Sequence, residues 1–305
     1  MLLLILIYVS FYPLKAEGEE DDFWKELTFS VRTNVNGTIR SAHILWTDEF
    51  DDSFAQAYTN ENKSDFGFYN DKPVPDVYIS QNYIFEAFQT FLKFYQNQTK
   101  IGKVSITIPN LLEDIKKQLE PAGKKSKKSQ ILRYPIVNYI VFNTFDSDVY
   151  SAFFNIVRGI PDHIRVSFFF FAERTQKILD GKVLEAVQFR KTKNLDLRAI
   201  ETDLNDDQFH QLDCQMVNIR STSLTNQGIN QMLKEWQDGF RATEYMKIVS
   251  DDIQKAEIMD GVTKKTLQRG TWQIRNRFNS TATVTISRIP TNFFDAQPTF
   301  EFSVN

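Results

Sequence analysis

Residues 212–236, LDCQMVNIRSTSLTNQGINQMLKEW, form the most informative stretch of this 305-residue chain. The apolar residues up to Ile219 predict a short strand, and beyond a polar turn the apolar residues recur at helical spacing as far as Trp236. Thr225 or Asn226 is well placed to cap the start of that helix, and Gly239 is well placed to end it. The stretch therefore predicts one strand followed by one helix.

The rest of the chain carries similar alternating elements. Runs of alternating or continuous apolar residues predict strands at 27–31, 42–46, 76–80, 104–108, 136–142, 164–171, 187–189, 214–219, 245–249 and 281–287. Stripes of apolar residues at three- and four-residue spacing predict helices at 84–95, 149–157 and 229–236. Strands that alternate with helices favour parallel pairing through helical crossovers, so the fold class is expected to be α/β.

The later predicted strands recur at a loose period. Their centres, from Ile106 to Lys247, lie about 21 to 33 residues apart, although the units share no strict consensus. This spacing approximates a solenoid in which each strand and its return element form one unit. We expect an irregular leucine-rich-repeat-like stack of strand–helix units, with an N-terminal α/β part at 23–115, a Lys-rich loop at 116–130 and a C-terminal repeat-like part at 131–305.

The first residues of the chain indicate in which cellular compartment the protein resides. Residues 1–14 form an apolar run that is too short to span a bilayer but has the length of a signal-peptide core, so 1–18 are a candidate signal peptide. The alternatives are a buried first element of the fold or a mis-assigned start. With a cleaved signal peptide the protein is secreted or luminal, and otherwise it is cytoplasmic. Glycosylation in the secretory case is expected at the sequons of Asn36, Asn62, Asn97 and Asn279.

The residues that carry chemistry are sparse. A formal charge of −3 gives no electrostatic reason to expect a nucleic-acid partner. Cys214 is the single cysteine, which excludes an intramolecular disulfide and a cysteine-based zinc site, and its apolar neighbours indicate a small buried residue. His43 and His163 lie far apart in sequence, and His210 is expected at a solvated helix end. No catalytic, cofactor-binding or metal-binding residues are assigned. The carboxylates within 48–52 are expected in a hydrated loop, and the enzymatic alternative is an acid–base hydrolase that uses Asp or Glu from scattered loops.

One resemblance adds to these observations. The opening stretch resembles the "L-x-C … S-x-x-L-T-N-x-x-[LI]-N-x-[FM]-L-K-x-W" block of the nematode F-box-associated family, type 2. Residues 273–277 and 281–284 resemble that family's late "I-x-R-x-D-G … A-T-[IV]" segment, without the Asp-Gly. Fainter matches at 66–80 and 145–161 extend the resemblance over most of 24–302, with the F-box-associated region at about 195–260. The matched positions, expected to be mainly structural, are Leu212, Cys214, Leu224, Thr225, Asn226, Leu233 and Trp236.

The resemblance implies a non-catalytic protein-interaction scaffold, like the substrate-binding region of nematode F-box proteins, with an unknown protein partner and no cofactor. Docking to a Skp-type adaptor needs an F-box, and no F-box is recognisable before Trp24. A secreted or luminal binding protein unrelated to ubiquitin ligation is the alternative, and the chain is expected to have no spanning membrane segment.

Overall fold

The computed structural model describes residues 26–33, 39–47, 54–59, 76–79, 83–108, 115–116, 119, 134–144, 146–167, 178–291 and 294–305. The strands are β1 Glu26–Thr33, β2 Ile39–Thr47, β3 Phe54–Thr59, β4 Asp76–Ile79, β5 Lys100–Thr107, β6 Ile136–Phe142, β7 His163–Val166, β8 Ile178–Leu179, β9 Asn194–Asp196, β10 Glu201–Thr202, β11 Met216–Arg220, β12 Tyr245–Val249, β13 Lys264–Gln268, β14 Thr271–Arg275, β15 Thr281–Thr291 and β16 Phe294–Val304. The helices are α1 Tyr83–Gln96, α2 Ser147–Phe154, α3 Val187–Lys191, α4 Asp206–His210, α5 Asn226–Gln237 and α6 Lys255–Ile258.

A mixed sheet of 14 strands organises the described residues, in the order β13-β14-β15-β16-β12-β11-β9-β7-β6-β5-β1-β2-β3-β4. Its central strands β1, β5, β6, β7, β9, β11 and β12 are parallel and lie side by side in chain order. Antiparallel pairs extend both ends, through β16 on one side and β2 on the other. The α/β class predicted from strand–helix alternation is confirmed.

The strand register places one complete row of apolar side chains on a single face of the sheet. The residues that pair across neighbouring strands in this row are Leu27, Val104, Ile140, Ile164, Leu195, Val217, Met246 and Phe302. All of them are buried. A second buried row, two residues further along the strands, includes Phe29, Ile106, Phe142, Val166, Ile219, Ile248 and Phe300.

Helices cover this apolar face through aromatic contacts. The ring of Phe29 on β1 lies 5.5 Å from that of Phe88 on α1. Farther along the sheet, the ring of Phe142 on β6 lies 6.4 Å from that of Phe153 on α2. Because side chains alternate between the two faces of a strand, the intervening residues of these strands point away from the helices.

The strand predicted at 187–189 is wrong. This segment belongs to α3, in which Phe189 is buried while Val187 is 49% exposed. Phe189 is the one residue by which this short helix packs against the core. The strand in this part of the sheet is β9. The helix predicted at 149–157 ends earlier, at Phe154. The prediction for 164–171 is described only as far as Ser167, and the candidate signal peptide and nearly all of the Lys-rich loop lie outside the described residues.

Candidate functional site

The sheet face away from the helices carries a row of mostly polar and aromatic side chains. Across neighbouring strands this row, termed here the polar row, consists of Lys103, Tyr139, His163, Asn194, Met216 and Tyr245. Each is half-buried or exposed, and Met216 is 39% exposed. The row therefore presents varied functional groups along the parallel part of the sheet.

Neighbouring members of the polar row contact one another. The Lys103 ammonium lies 6.0 Å from the centre of the Tyr139 ring. The Tyr139 and His163 rings are 5.7 Å apart, and Asn194 Nδ2 lies 2.7 Å from His163 Nδ1, which accepts its hydrogen bond when the imidazole is neutral. These contacts limit side-chain motion and order a contiguous surface across four strands.

Charged groups of both signs lie beside the polar row. Asp196 on β9 is 3.9 Å from Arg165 and 3.1 Å from Arg198, so one carboxylate faces two guanidinium groups. The Tyr245 hydroxyl donates to Glu301 at 3.2 Å. Burial and this neighbouring carboxylate raise the pKa of Tyr245 to about 12. The face thus offers paired charges and hydrogen-bonding groups instead of a field of one sign.

Most apolar residues of the stretch 212–236 are buried in the core. Leu212, Leu224 and Leu233 are buried, as is Trp236. Cys214 is also buried, and burial followed by the nearby Asp213 carboxylate raises the pKa of its thiol to about 12. A thiol held in its neutral form is not an activated nucleophile.

The polar residues of the same stretch fix the helix. Thr225 caps α5 by accepting a hydrogen bond from the Gly228 N–H at 3.2 Å, which confirms the predicted helix start. Asn226 is 4% exposed, and its side chain donates to Glu257 and accepts from the Gln254 N–H, each at 3.0 Å. These contacts tie the start of α5 to the segment around α6.

A surface pocket of about 420 Å³ lies where α4 and α5 end. In it Glu235 Oε2 lies 3.3 Å from His210 Nδ1 and 3.4 Å from Arg241 Nε. Arg241 also donates to the His210 carbonyl at 3.0 Å, and burial lowers its pKa while Glu235 opposes that effect. His210 does end α4, but its side chain is only 18% exposed, so the prediction of a solvated position is wrong because Glu235 binds it. The arrangement joins two helix ends and holds no activated nucleophile.

The remaining sequence candidates are spread over the chain. Asn97 and Asn279 are exposed, and Asn279 has a φ of +67° in the turn between β14 and β15. Asn36, Asn62 and the carboxylates of 48–52 lie outside the described residues. Within the described part of the chain, no three His, Cys, Asp or Glu side chains are grouped to hold a metal ion, and no helix is long and apolar enough to cross a membrane.

Sequence reasoning missed the polar row. Its signal was present inside single strands, since Met216 and Asn218 alternate with the buried Val217 and Ile219. The alignment of such positions between strands depends on register, which one strand does not specify. In comparisons with known proteins, no family model, no curated protein and no solved structure matches this chain.

Proposed function

We propose that this chain is a non-catalytic protein-interaction scaffold, similar in role to the substrate-binding region of nematode F-box proteins, and that it binds its partner on the polar row. The observation that supports this proposal is the contiguous line of half-exposed side chains from Lys103 to Tyr245 on the face away from the helices. At about 4.8 Å per strand, the line spans roughly 24 Å.

The chemistry of the row suits recognition. Tyrosine and methionine, which are enriched at protein interfaces, occur at Tyr139, Met216 and Tyr245. Parallel strands that follow one another in chain order are typical of leucine-rich-repeat-like stacks, which bind proteins on an extended sheet surface. We infer that each strand with its return segment is one irregular unit of such a stack.

Photo-crosslinking tests the proposed surface. A photoreactive phenylalanine analogue replaces Tyr139 or Met216 in separate proteins, and replaces the exposed Ser151 on α2 in a matched control. After irradiation in extract of the organism that makes the protein, both sheet positions are expected to capture the same protein, identified by mass spectrometry. Capture of that protein in equal yield from Ser151, or no common product from the sheet positions, would contradict the proposal.

The compartment is tested separately. In the secreted or luminal version, the C-terminally tagged natural protein carries glycans that a glycosidase removes, and Asn97→Gln and Asn279→Gln each reduce its mass before that treatment. A cytosolic and unglycosylated product excludes this version. It leaves the intracellular scaffold, whose link to ubiquitin ligation is then tested by co-purification of a Skp-type adaptor.

A further inference from the structure

An exposed cation–aromatic cluster lies apart from the polar row. Phe240 and Phe278 are 77% and 65% exposed, the two most exposed large apolar side chains among the described residues. The Arg277 guanidinium carbon lies 5.2 Å from the centre of the Phe240 ring and 4.7 Å from that of Phe278. These three residues, termed here the aromatic clasp, keep a guanidinium between two solvent-facing rings.

Arg277 has no salt bridge to an acidic side chain among the described residues. By contrast, Arg241 is 3.4 Å from Glu235 and Arg220 is 3.2 Å from Glu201. Contact with the rings orients the planar guanidinium without using its N–H groups. The clasp therefore has free donors suited to a carboxylate, which an arginine can bind through two parallel hydrogen bonds.

The backbone beneath the clasp is fixed by hydrogen bonds to the end of α5. Gly239 has a φ of +73°, which ends the helix and directs the chain outward. The Phe240 N–H donates to the Glu235 carbonyl at 2.8 Å, and the Arg277 N–H donates to the Gln237 carbonyl at 2.8 Å. Both arms of the clasp are thus anchored to the same helix end, which lowers the entropic cost of binding.

The turn that carries Phe278 is also ordered. The Asn276 side-chain oxygen accepts hydrogen bonds from the N–H groups of Phe278 at 3.0 Å and of Ser280 at 2.9 Å. This Asx-type arrangement fixes the turn between β14 and β15. The backbone at Phe278 is therefore ordered, and its ring lies beside Gly239 and the Arg277 guanidinium.

Other exposed apolar residues lie where the parallel strands begin, but not on one face of the sheet: Ile136 alternates to the face of the buried Ile140, whereas Met216 belongs to the polar row on the other face. Ile136 and Met216 start β6 and β11, and Ile160 precedes β7, and these side chains are 39% to 41% exposed. Strand β15 runs parallel to β12, so Phe278, just before β15, lies on this same edge. The two rings of the clasp therefore form the apolar surface that adjoins Arg277.

We propose that the aromatic clasp anchors a protein segment that carries an aspartate or glutamate beside large apolar residues, with the carboxylate on Arg277 and the apolar side chains on the rings of Phe240 and Phe278. The Arg277 guanidinium, which has no acidic partner within the described ranges, favours this occupant by charge complementarity. A phosphodiester chain is disfavoured because it carries a charge on every nucleotide, whereas the protein has a formal charge of −3. The inference rests on the proposed role as an interaction scaffold and names one class of ligand for it.

A displayed library of random twelve-residue peptides, selected on the full immobilised chain, tests the inference. The wild type is expected to enrich peptides with an acidic residue next to leucine, isoleucine, methionine or phenylalanine. Arg277→Gln and Phe240→Ser are each expected to weaken the best peptide at least tenfold in fluorescence anisotropy. Arg277→Lys keeps the charge without the planar fork and is expected to be intermediate. Leu267→Ser removes an exposed apolar side chain from β13 and is the matched control, with unchanged affinity.

Circular dichroism first establishes that each variant folds, which is expected because the substituted side chains are exposed. Enriched peptides without acidic residues, or affinity unchanged by Arg277→Gln, would overturn the inference. So would a single-stranded oligonucleotide that binds more tightly than the peptides and competes with them. If Tyr139 crosslinks to a partner but the peptide selection fails, the aromatic clasp is rejected and the polar row is retained. If acidic peptides are enriched but the sheet positions crosslink to no common protein, the polar row is rejected and the aromatic clasp is retained.

Discussion

The Trp236 ring on α5 packs edge-on against the Phe302 ring on β16, with ring centroids 5.1 Å apart and an interplanar angle of 74°. Both side chains are almost fully buried. Phe302 pairs with Met246 on the last parallel strand and with Val284 on β15. This contact therefore joins the helix of the stretch 212–236 to the antiparallel end of the sheet.

Removing the indole is expected to destabilise the fold strongly. Trp236→Ala should lower the free energy of unfolding by about 3–5 kcal/mol, because it leaves a large cavity between α5 and β16. Urea denaturation followed by circular dichroism measures this loss, and Trp236→Phe should cost less. In a double-mutant cycle with Phe302→Ala, a coupling of about 0.5–1.5 kcal/mol is expected for the ring pair. Additive effects of the two substitutions would show that the rings contribute independently.

A buried amide connects α5 to α6. The Asn230 side chain is 9% exposed, and its Nδ2 donates to the carbonyls of Ile258 at 2.7 Å and Asp260 at 2.8 Å. Asn230→Leu fills a similar volume but leaves both carbonyls without this donor, so a loss of about 1–3 kcal/mol is expected in urea denaturation. Hydrogen exchange of the amides in 255–260 should also become faster.

The neighbouring glutamine provides the control for that experiment. Gln231 is exposed and makes a surface hydrogen bond of 3.0 Å to Glu235, so Gln231→Ala should change stability by less than about 0.5 kcal/mol. Equal losses for Gln231→Ala and Asn230→Leu would mean that the two carbonyl contacts do not hold α6 in place.

The sequence was sufficient where local signals agree with tertiary packing. Thr225, the stripe through Trp236 and Gly239 each specify part of α5, and the helix has those limits. The same reasoning failed at Val187, because a run of three residues contains too little periodicity to separate a strand from one turn of helix. The polar row and the aromatic clasp depend on contacts between distant segments, such as Phe240 with Arg277, which no local pattern encodes.

The raised pKa of the Cys214 thiol should affect both the rate at which the thiol is labelled and the pH dependence of folding stability. Because burial raises the thiol pKa from 9.0 to about 12, an aromatic disulfide reagent at pH 8 should label the native protein far more slowly than the denatured one. The raised pKa stabilises the fold fully below pH 9, where the thiol is neutral in both states. Above pH 9 the unfolded thiol ionises first, so this contribution falls by up to about 1.4 kcal/mol per pH unit until the native thiol ionises near pH 12.

The control for this prediction is Cys214→Ala, in which that part of the pH dependence is absent. The difference in unfolding free energy between the wild type and the variant, measured by urea denaturation from pH 8 to pH 10.5, should shrink as pH rises. Labelling of the native thiol at the rate found in denaturant would show that Cys214 is accessible and would remove the basis for the shift.

Alanine substitution at two glycines with positive φ distinguishes the cost of backbone strain from the cost of a steric clash. Gly159 has a φ of +88° with no atom within 4 Å of an added Cβ, whereas an added Cβ at Gly239 meets the Phe278 ring and lies 2.6 Å from Arg277 Nε. Gly159→Ala should therefore cost only the left-handed strain, about 1–2 kcal/mol. Gly239→Ala should cost on the order of 1 kcal/mol more, because the clasp must open to admit the methyl group. Urea denaturation measures both losses, and Phe278→Ser combined with Gly239→Ala should recover part of the difference. If the two alanine variants lose equal stability, the clasp side chains do not pack against the end of α5 in solution.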